Sequence, residues 1–181
     1  MNPDQAGSRL PAPLCIDWAD AQYRARMASH SSSDVETVER LIPAPAAAIF
    51  ALVGDPSRHP DIDGSGTVRK AKSDSSGALT LGSKFGMSMK MGIPYSMVNT
   101  VIEFEPDRRI AWQTTSSVPF IGRFGGGRIW RYELEPTEGG TLVRESWDIS
   151  RERVKAVVRP MRKRTRAAML ATLERIEQLV A

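Results

Sequence analysis

RVKAVVRPMRKRTRAAMLATLERIEQLV (Arg153–Val180) carries apolar side chains at steps of three and four. Val154, Val158, Met161, Thr165, Met169, Leu173, Ile176 and Val180 fall on one stripe, the period of an amphipathic helix. With about 100° per residue, Lys155, Arg159, Lys163 and Arg166 lie roughly opposite Met161, so a basic face points away from the stripe. About 28 residues at about 1.5 Å each reach roughly 40 Å, enough to cross a small domain. Pro160 interrupts the run. Either the helix bends there, or its regular part starts there with proline in the first turn. Nearly everything upstream reads as strand, so a curved sheet wrapped around this helix is expected.

Upstream, Val35 to Ile42 reads as a first strand of mixed pattern, stopped by Pro43 and Pro45. Pro45 suits the start of a helix through Ala46–Val53, with Gly54 at its end. Asp55–Gly66 (DPSRHPDIDGSG) is a polar connector with room for one short helical turn. Chain breakers then recur at hairpin spacing, which predicts antiparallel strands at about Thr67–Lys72, Ser83–Met91, Tyr95–Glu105, Arg109–Thr115, Gly127–Glu135 and Thr141–Ser150. The separators include Gly92–Pro94 and Val118–Gly126. The order strand, two short helices, six strands, long helix is an α+β arrangement.

At 181 residues the chain has one domain by prior, residues 34–181, preceded by an extension over residues 1–33. Pro3, Pro11, Pro13 and a serine-rich run mark that extension as loosely ordered, with a short helix over Ile16–Met27. Translation starting at Met27 is an alternative that mass spectrometry of the N-terminus would decide. The net charge is +4, but residues 151–181 hold nine Lys/Arg against three Asp/Glu, so the positive balance belongs to the last helix. Cys15 is the single cysteine, which allows no intrachain disulfide and fits a reducing cytoplasm. No apolar run is long enough to span a membrane, and the N-terminus lacks the basic and apolar regions of a secretory signal. A cytoplasmic protein is the expectation.

Several segments resemble, in order, the helix-grip fold of the START-like (SRPBCC) superfamily, and most closely its polyketide cyclase/dehydrase-like branch. They are VERLIPAPAAAIFALVGDPSRHPDIDGSGTV (Val38–Val68), FEPDRRIAW (Phe104–Trp112), RIWRYELEP with GGTLVRESWDIS (Arg128–Ser150), and the terminal AAMLATLERIEQLV. The resemblance implies a seven-stranded antiparallel sheet curved around the C-terminal helix, with a cavity between them. It implies little about activity, because the superfamily holds lipid carriers, hormone receptors and cyclases.

The residues themselves suit such a cavity. Phe85, Met87, Met89 and Met91 alternate with Gly86, Ser88, Lys90 and Gly92, which puts four large apolar groups on one sheet face. Methionine moulds itself to variable apolar partners. Trp130, Tyr132 and Leu134, then Val143, Trp147 and Ile149, then Ile110 and Trp112 form further stripes, faced by Met161 and Met169 from the helix. A dry, fully packed core accounts for the same residues. Burial is worth about 1.5–3 kcal/mol per side chain in either case, so stability does not separate the two.

Glu145 lies between Val143 and Trp147 on one strand face, which places a carboxylate among apolar groups. Unpaired, it would be costly there, and would raise its pKa or recruit a partner. It is a candidate acid/base or anchor for a ligand hydroxyl; a structural pair with an arginine is the alternative. Tyr132 is a second candidate acid/base. His59, beside Arg58, Asp61 and Asp63, is a third, although turn-forming by Asp61 or Asp63 accounts for the segment without catalysis. GRFGGG (Gly122–Gly127) matches no phosphate-binding fingerprint and reads as a loop, with Phe120, Ile121 and Phe124 able to cover a pocket mouth. One cysteine and two isolated histidines offer no metal-ligand spacing, and no nucleophile motif is present.

Eight of the sixteen residues Arg151–Arg166 are Lys or Arg. A solvated outer face accounts for them. Transient contact with an anionic membrane is a second reading; nucleic acid is disfavoured, since no aromatic is interleaved for base stacking. The sequence therefore points to binding of a hydrophobic small molecule, lipid-like, aromatic or polyketide-like, between sheet and helix. The ligand-binding candidates are Phe85, Met87, Met89, Met91, Trp112, Trp130, Tyr132, Glu145, Trp147, Met161 and Met169. A cyclase or dehydratase using Glu145 or Tyr132 is the alternative, and neither reading calls for a cofactor.

Overall fold

In the computed structural model, which describes residues 34–73, 78–116 and 126–181, the alternating segments become seven strands. Strand β1 (Val35–Ile42) leads into helix α1 (Ala46–Val53), a 3-10 turn (Pro56–Arg58) and the one-turn helix α2 (His59–Ile62). There follow β2 (Val68–Ser73), β3 (Lys84–Met91), β4 (Ile93–Glu105), β5 (Arg109–Ser116), β6 (Gly126–Thr137) and β7 (Gly140–Asp148). The chain ends in α3 (Lys155–Val158), a 3-10 turn (Arg159–Met161) and α4 (Arg162–Val180). The extension over residues 1–33 and the lid candidates Phe120, Ile121 and Phe124 lie outside the described residues, as does the Met91 side chain.

Hydrogen-bonded neighbours run β1-β7-β6-β5-β4-β3-β2, all antiparallel, so β1 extends the meander next to β7. Register shifts at Val68/Lys70, Val101/Glu103 and Gln113/Thr115 interrupt three of the pairings. Each such bulge adds twist and bends its strand, which lets the sheet curve around α4. The result is the α+β helix-grip arrangement.

The C-terminal stretch is not one bent helix. Proline has no N–H to give and its ring crowds the preceding turn, so the chain passes Pro160 in the 3-10 turn and regular helix begins at Arg162. Met169, Leu173 and Ile176 are fully buried on α4, whereas Met161, Thr165 and Val180 are only partly covered. Pro94 also corrects an expectation. Gly92, at φ 77°, makes the turn alone, and β4 starts at Ile93, with Pro94 opposite Lys90. The intended separator Gly92–Pro94 is mostly strand; a proline is tolerated there because it stands at the strand's beginning.

The basic face is not simply solvated. Lys155 Nζ and Arg159 Nη2 donate to the two carboxylate oxygens of Asp34, at 2.7 and 2.8 Å. Arg162 and Arg166 both donate to Glu36, which is buried at 6% exposure. Burial alone would raise the pKa of Glu36, but the two guanidinium groups outweigh it and hold the carboxyl below its ordinary range. Four cations that looked free along the C-terminal segment therefore pin its first half to β1 and to Asp34 just before it. This explains the mixed burial pattern of that strand. No helix among the described residues is long and apolar enough to cross a membrane.

The polar connector is seated on the same helix. Gly64 N–H donates to Thr172 Oγ1 at 3.0 Å, and a Cβ on Gly64 would collide with the backbone of Ala168 and Thr172. Because backbone cannot move aside cheaply, Gly64→Ala is expected to destabilise the fold by about 1–3 kcal/mol in urea unfolding. Unchanged stability would show that the connector is not wedged there.

Candidate functional site

Strand register assembles the site. Trp112 on β5 stands opposite Trp130 on β6, and Trp130 stands opposite Trp147 on β7, so three indoles form one row across the sheet. Two residues along, Tyr132 opposes Glu145. Paired positions bring Cβ atoms to about 5 Å, within reach of direct contact. Between this face and α4 lies a cavity of about 190 Å³. The three indoles line it, with Met87, Met89 and Met97 from β3 and β4 and Met161 and Met169 from the C-terminal segment.

Most of the predicted set meets at this one place: Met87, Met89, Trp112, Trp130, Tyr132, Glu145, Trp147, Met161, Met169 and His59 all line the cavity. Phe85 does not. At 1% exposure it is core, packed edge-on against His59 and Trp112, with centroids 5.4 and 5.6 Å away. Leu134, Ile110, Val143 and Ile149 are likewise core. The curved sheet is deep enough to divide one face into a packed end and an open end.

Glu145 is 2% exposed, and its partner is Tyr132 rather than an arginine. Tyr132 Oη donates to Glu145 Oε1 at 2.8 Å, while Glu145 Oε2 is buried with no hydrogen-bond partner. Burial pushes the carboxyl pKa up to about 8; the Tyr132 hydrogen bond pulls it partly back and the charge of Asp63 adds to the rise. The acid is therefore largely protonated at neutral pH. Since Oε1 is already an acceptor, the proton belongs on Oε2. Burial also drives the Tyr132 pKa well above its ordinary value.

His59 is buried too. Its Nε2 lies 2.9 Å from the carbonyl oxygen of Val53, a contact that makes Nε2 the protonated nitrogen and leaves the lone pair on Nδ1. The ring stacks on Trp112 at 5.2 Å, and Trp112 stacks on Tyr132 at 5.7 Å. Burial lowers the pKa of His59, with the Val53 contact opposing it, so the imidazole is neutral. The charges of Asp55 and Asp63 also oppose that fall. Asp63 accepts from Ser65, Thr67 and Val68, and Asp61 pairs with Arg58. The Nε1 of Trp112 is a second buried polar atom with no partner.

Sequence reasoning missed Asn99, Thr114, Tyr95, Arg128 and Arg164, all of which line the cavity. Thr114 Oγ1 donates to Asn99 Oδ1 at 2.7 Å, a pair created by the register of β4 and β5. The alternation Tyr95, Met97, Asn99 on β4 was readable, as was Arg128 two residues before Trp130. The signal was obscured because polar residues on an inward stripe look like outward ones. Among the described residues, no cluster of three or more His, Cys, Asp or Glu could hold a metal ion.

Solved structures share this architecture. Protein NE0264 from Nitrosomonas europaea superposes with a TM-score of 0.62 at 14% identity, covering 82% of this chain and 95% of that one. Major latex-like protein 151 from Panax ginseng gives 0.63 at 13%, covering 81% and 96%. Such identities show the fold alone. In sequence, the chain is 40% identical over 111 residues to the uncharacterized protein Rv0088 of Mycobacterium tuberculosis, covering 59% of this chain and 44% of that protein. The chain thus matches less than half the length of that relative. A family model described as polyketide cyclase / dehydrase and lipid transport matches residues 35–181, the whole of the sheet and its helix. On that match the chain belongs to the polyketide cyclase/dehydrase and lipid transport family, a branch of the START-like superfamily.

Proposed function

We propose that this protein binds a compact hydrophobic molecule, aromatic or polyketide-like, in the cavity between the sheet and α4. The observation that carries this reading is a cavity of about 190 Å³, walled by thioether and indole groups, whose lining residues Glu145 and Trp112 each bury a polar atom without a partner. Apolar walls with a few polar groups suit a small organic ligand. A cavity of about 150 Å³ holds benzene, so this one takes a body of one or two rings; a long acyl chain would not be enclosed. The lone cysteine fits a reducing compartment, which we take to be the cytoplasm.

The test is native mass spectrometry of freshly purified protein, with extraction of whatever copurifies. The expected result is an adduct that disappears on denaturation. A mass equal to the polypeptide alone, combined with no uptake of naphthalene-sized aromatics, would sink the reading.

One observation favours a second reading, a cyclase or dehydratase. Glu145 and Tyr132 form a hydrogen-bonded acid pair inside an apolar cavity, and Glu145 keeps a proton at neutral pH to give to a departing hydroxyl. Glutamine copies the shape of the neutral acid but has no acidic proton. Glu145→Gln is therefore expected to leave a binder's affinity nearly intact, yet to lower turnover by about 100-fold or more if the protein is an enzyme. Turnover that survives Glu145→Gln would rule out acid/base catalysis by this residue.

A further inference from the structure

Three elements line the cavity in the same graded order. On β6 the inward residues run from Arg128, its side chain 24% exposed, through Trp130 to buried Tyr132. On β4 they run from Tyr95, 38% exposed, through Met97 at 8% to Asn99 at 0%. On α4 they pass from exposed Arg164 through Ala168 to buried Thr172. The strand register places Thr115 opposite Gly126 and Met97 opposite Ser116, so Tyr95 and Arg128 belong to the same end of the sheet. That end is the mouth, and among the described lining residues its arginines are Arg128 and Arg164.

Neither guanidinium is saturated. Arg164 has no ion pair or hydrogen bond among the described residues, unlike Arg162 and Arg166 beside it. Arg128 has the Glu152 carboxylate 3.4 Å from its Nε but makes no hydrogen bond through that atom, and Glu152 Oε1 already accepts from Gly126 N–H. Burial raises the Tyr95 pKa, and the charges of Arg128 and Arg164 oppose that rise without cancelling it. The only carboxylates on the described lining are Glu145 and Asp63. Glu145 is at the buried end, and Asp63 is occupied by the donors of its own turn.

We propose that the ligand is an amphipathic organic anion, with a compact ring body among the methionines and indoles and a carboxylate or similar oxyanion held at the mouth between Arg128 and Arg164. This rests on the cavity-binding reading and adds to it an orientation and a chemical class. Guanidinium donors match a planar oxyanion, and charge-assisted hydrogen bonds are about twice as strong as neutral ones. A neutral acid at the inner end completes the arrangement, since it does not repel the incoming anion.

The probes are 2-naphthoate and its neutral isostere 2-naphthamide, titrated calorimetrically into the full chain at neutral pH. We expect the carboxylate to bind about tenfold tighter or more, with an advantage that shrinks as salt is raised. Arg164→Gln, at an exposed position with no ion pair or hydrogen bond among the described residues, is expected to cut that advantage severalfold, with a smaller effect on the amide than on the carboxylate. Adding Arg128→Gln, with folding checked by thermal unfolding, is expected to remove it. Equal affinity for the two probes, or a preference that survives the double substitution, overturns this proposal and leaves the cavity reading standing. Failure of both probes to bind overturns the two together.

Discussion

Met89→Lys is expected to weaken binding of a naphthalene-sized ligand by about 100-fold or more, with little change in the melting temperature. Met89 is half-buried and lines the cavity, so an ammonium group there can reach water while the cavity is open. A bound apolar ring would cut off that water. Burying a charge without a partner costs several kcal/mol, of which about 2.7 kcal/mol already equals the 100-fold loss. Two arginines also stand on the lining, and of the two carboxyl groups on its described part Glu145 is protonated at neutral pH while the oxygens of Asp63 already accept from their own turn. Fluorescence titration, using the indoles of the lining as reporters, would measure the effect. Undiminished affinity would place the ligand elsewhere. A large loss of stability in the free protein would show instead that Met89 is a packing residue.

The second large effect is on stability as a function of pH. Glu145 has a folded pKa of about 8 against an ordinary 4.5, so above 4.5 the folded protein holds a proton that the unfolded chain has released. Its contribution is fully present below pH 4.5 and is lost as pH rises toward 8. His59 works in the opposite sense. Its folded pKa is depressed by burial, so stability is lost as pH falls below its ordinary 6.5. The two slopes oppose each other around and below 6.5, and from there to about 8 the Glu145 slope dominates, since the raised tyrosines act only in stronger alkali. The lowered carboxyls of Asp34, Glu36 and Glu103 matter only in acid. Urea unfolding from pH 6.5 to 8 is therefore expected to show the wild-type free energy falling by roughly 1–2 kcal/mol, and Glu145→Gln nearly flat. Identical slopes for the two proteins would mean that Glu145 ionises normally in the fold.

The strands were legible because their alternation and their breakers are local. Val35–Ile42 and Lys84–Met91 could be bounded within about a residue from sequence, and so could α1. Pro160 was legible as an interruption, but choosing between a bend and a fresh start needed the backbone. The row Trp112, Trp130, Trp147 was present as three separate stripes; only register shows that they are neighbours. Glu145 could be singled out as a carboxylate among apolar residues, whereas its partner could not be chosen. Tyr132 faces it because β6 and β7 are joined by a tight turn that pairs Thr137 with Gly140.

Sequence alone determined the architecture here, since apolar periods of two and nearly four fold into a sheet and a helix that must cover each other. It also placed one carboxylate, Glu145, between Val143 and Trp147 on an apolar strand face. The tertiary structure decided everything that depends on distance across the chain. It paired Asp34 and Glu36 with four cations more than a hundred residues away, which turned an outwardly basic helix into a fastened one. At the open end it left Arg164 with no ion pair among the described residues, and Arg128 facing Glu152 at 3.4 Å without a hydrogen bond through its Nε. Charge complementarity is set by position in space, and residues of one sign look alike in sequence until the fold shows which have been neutralised.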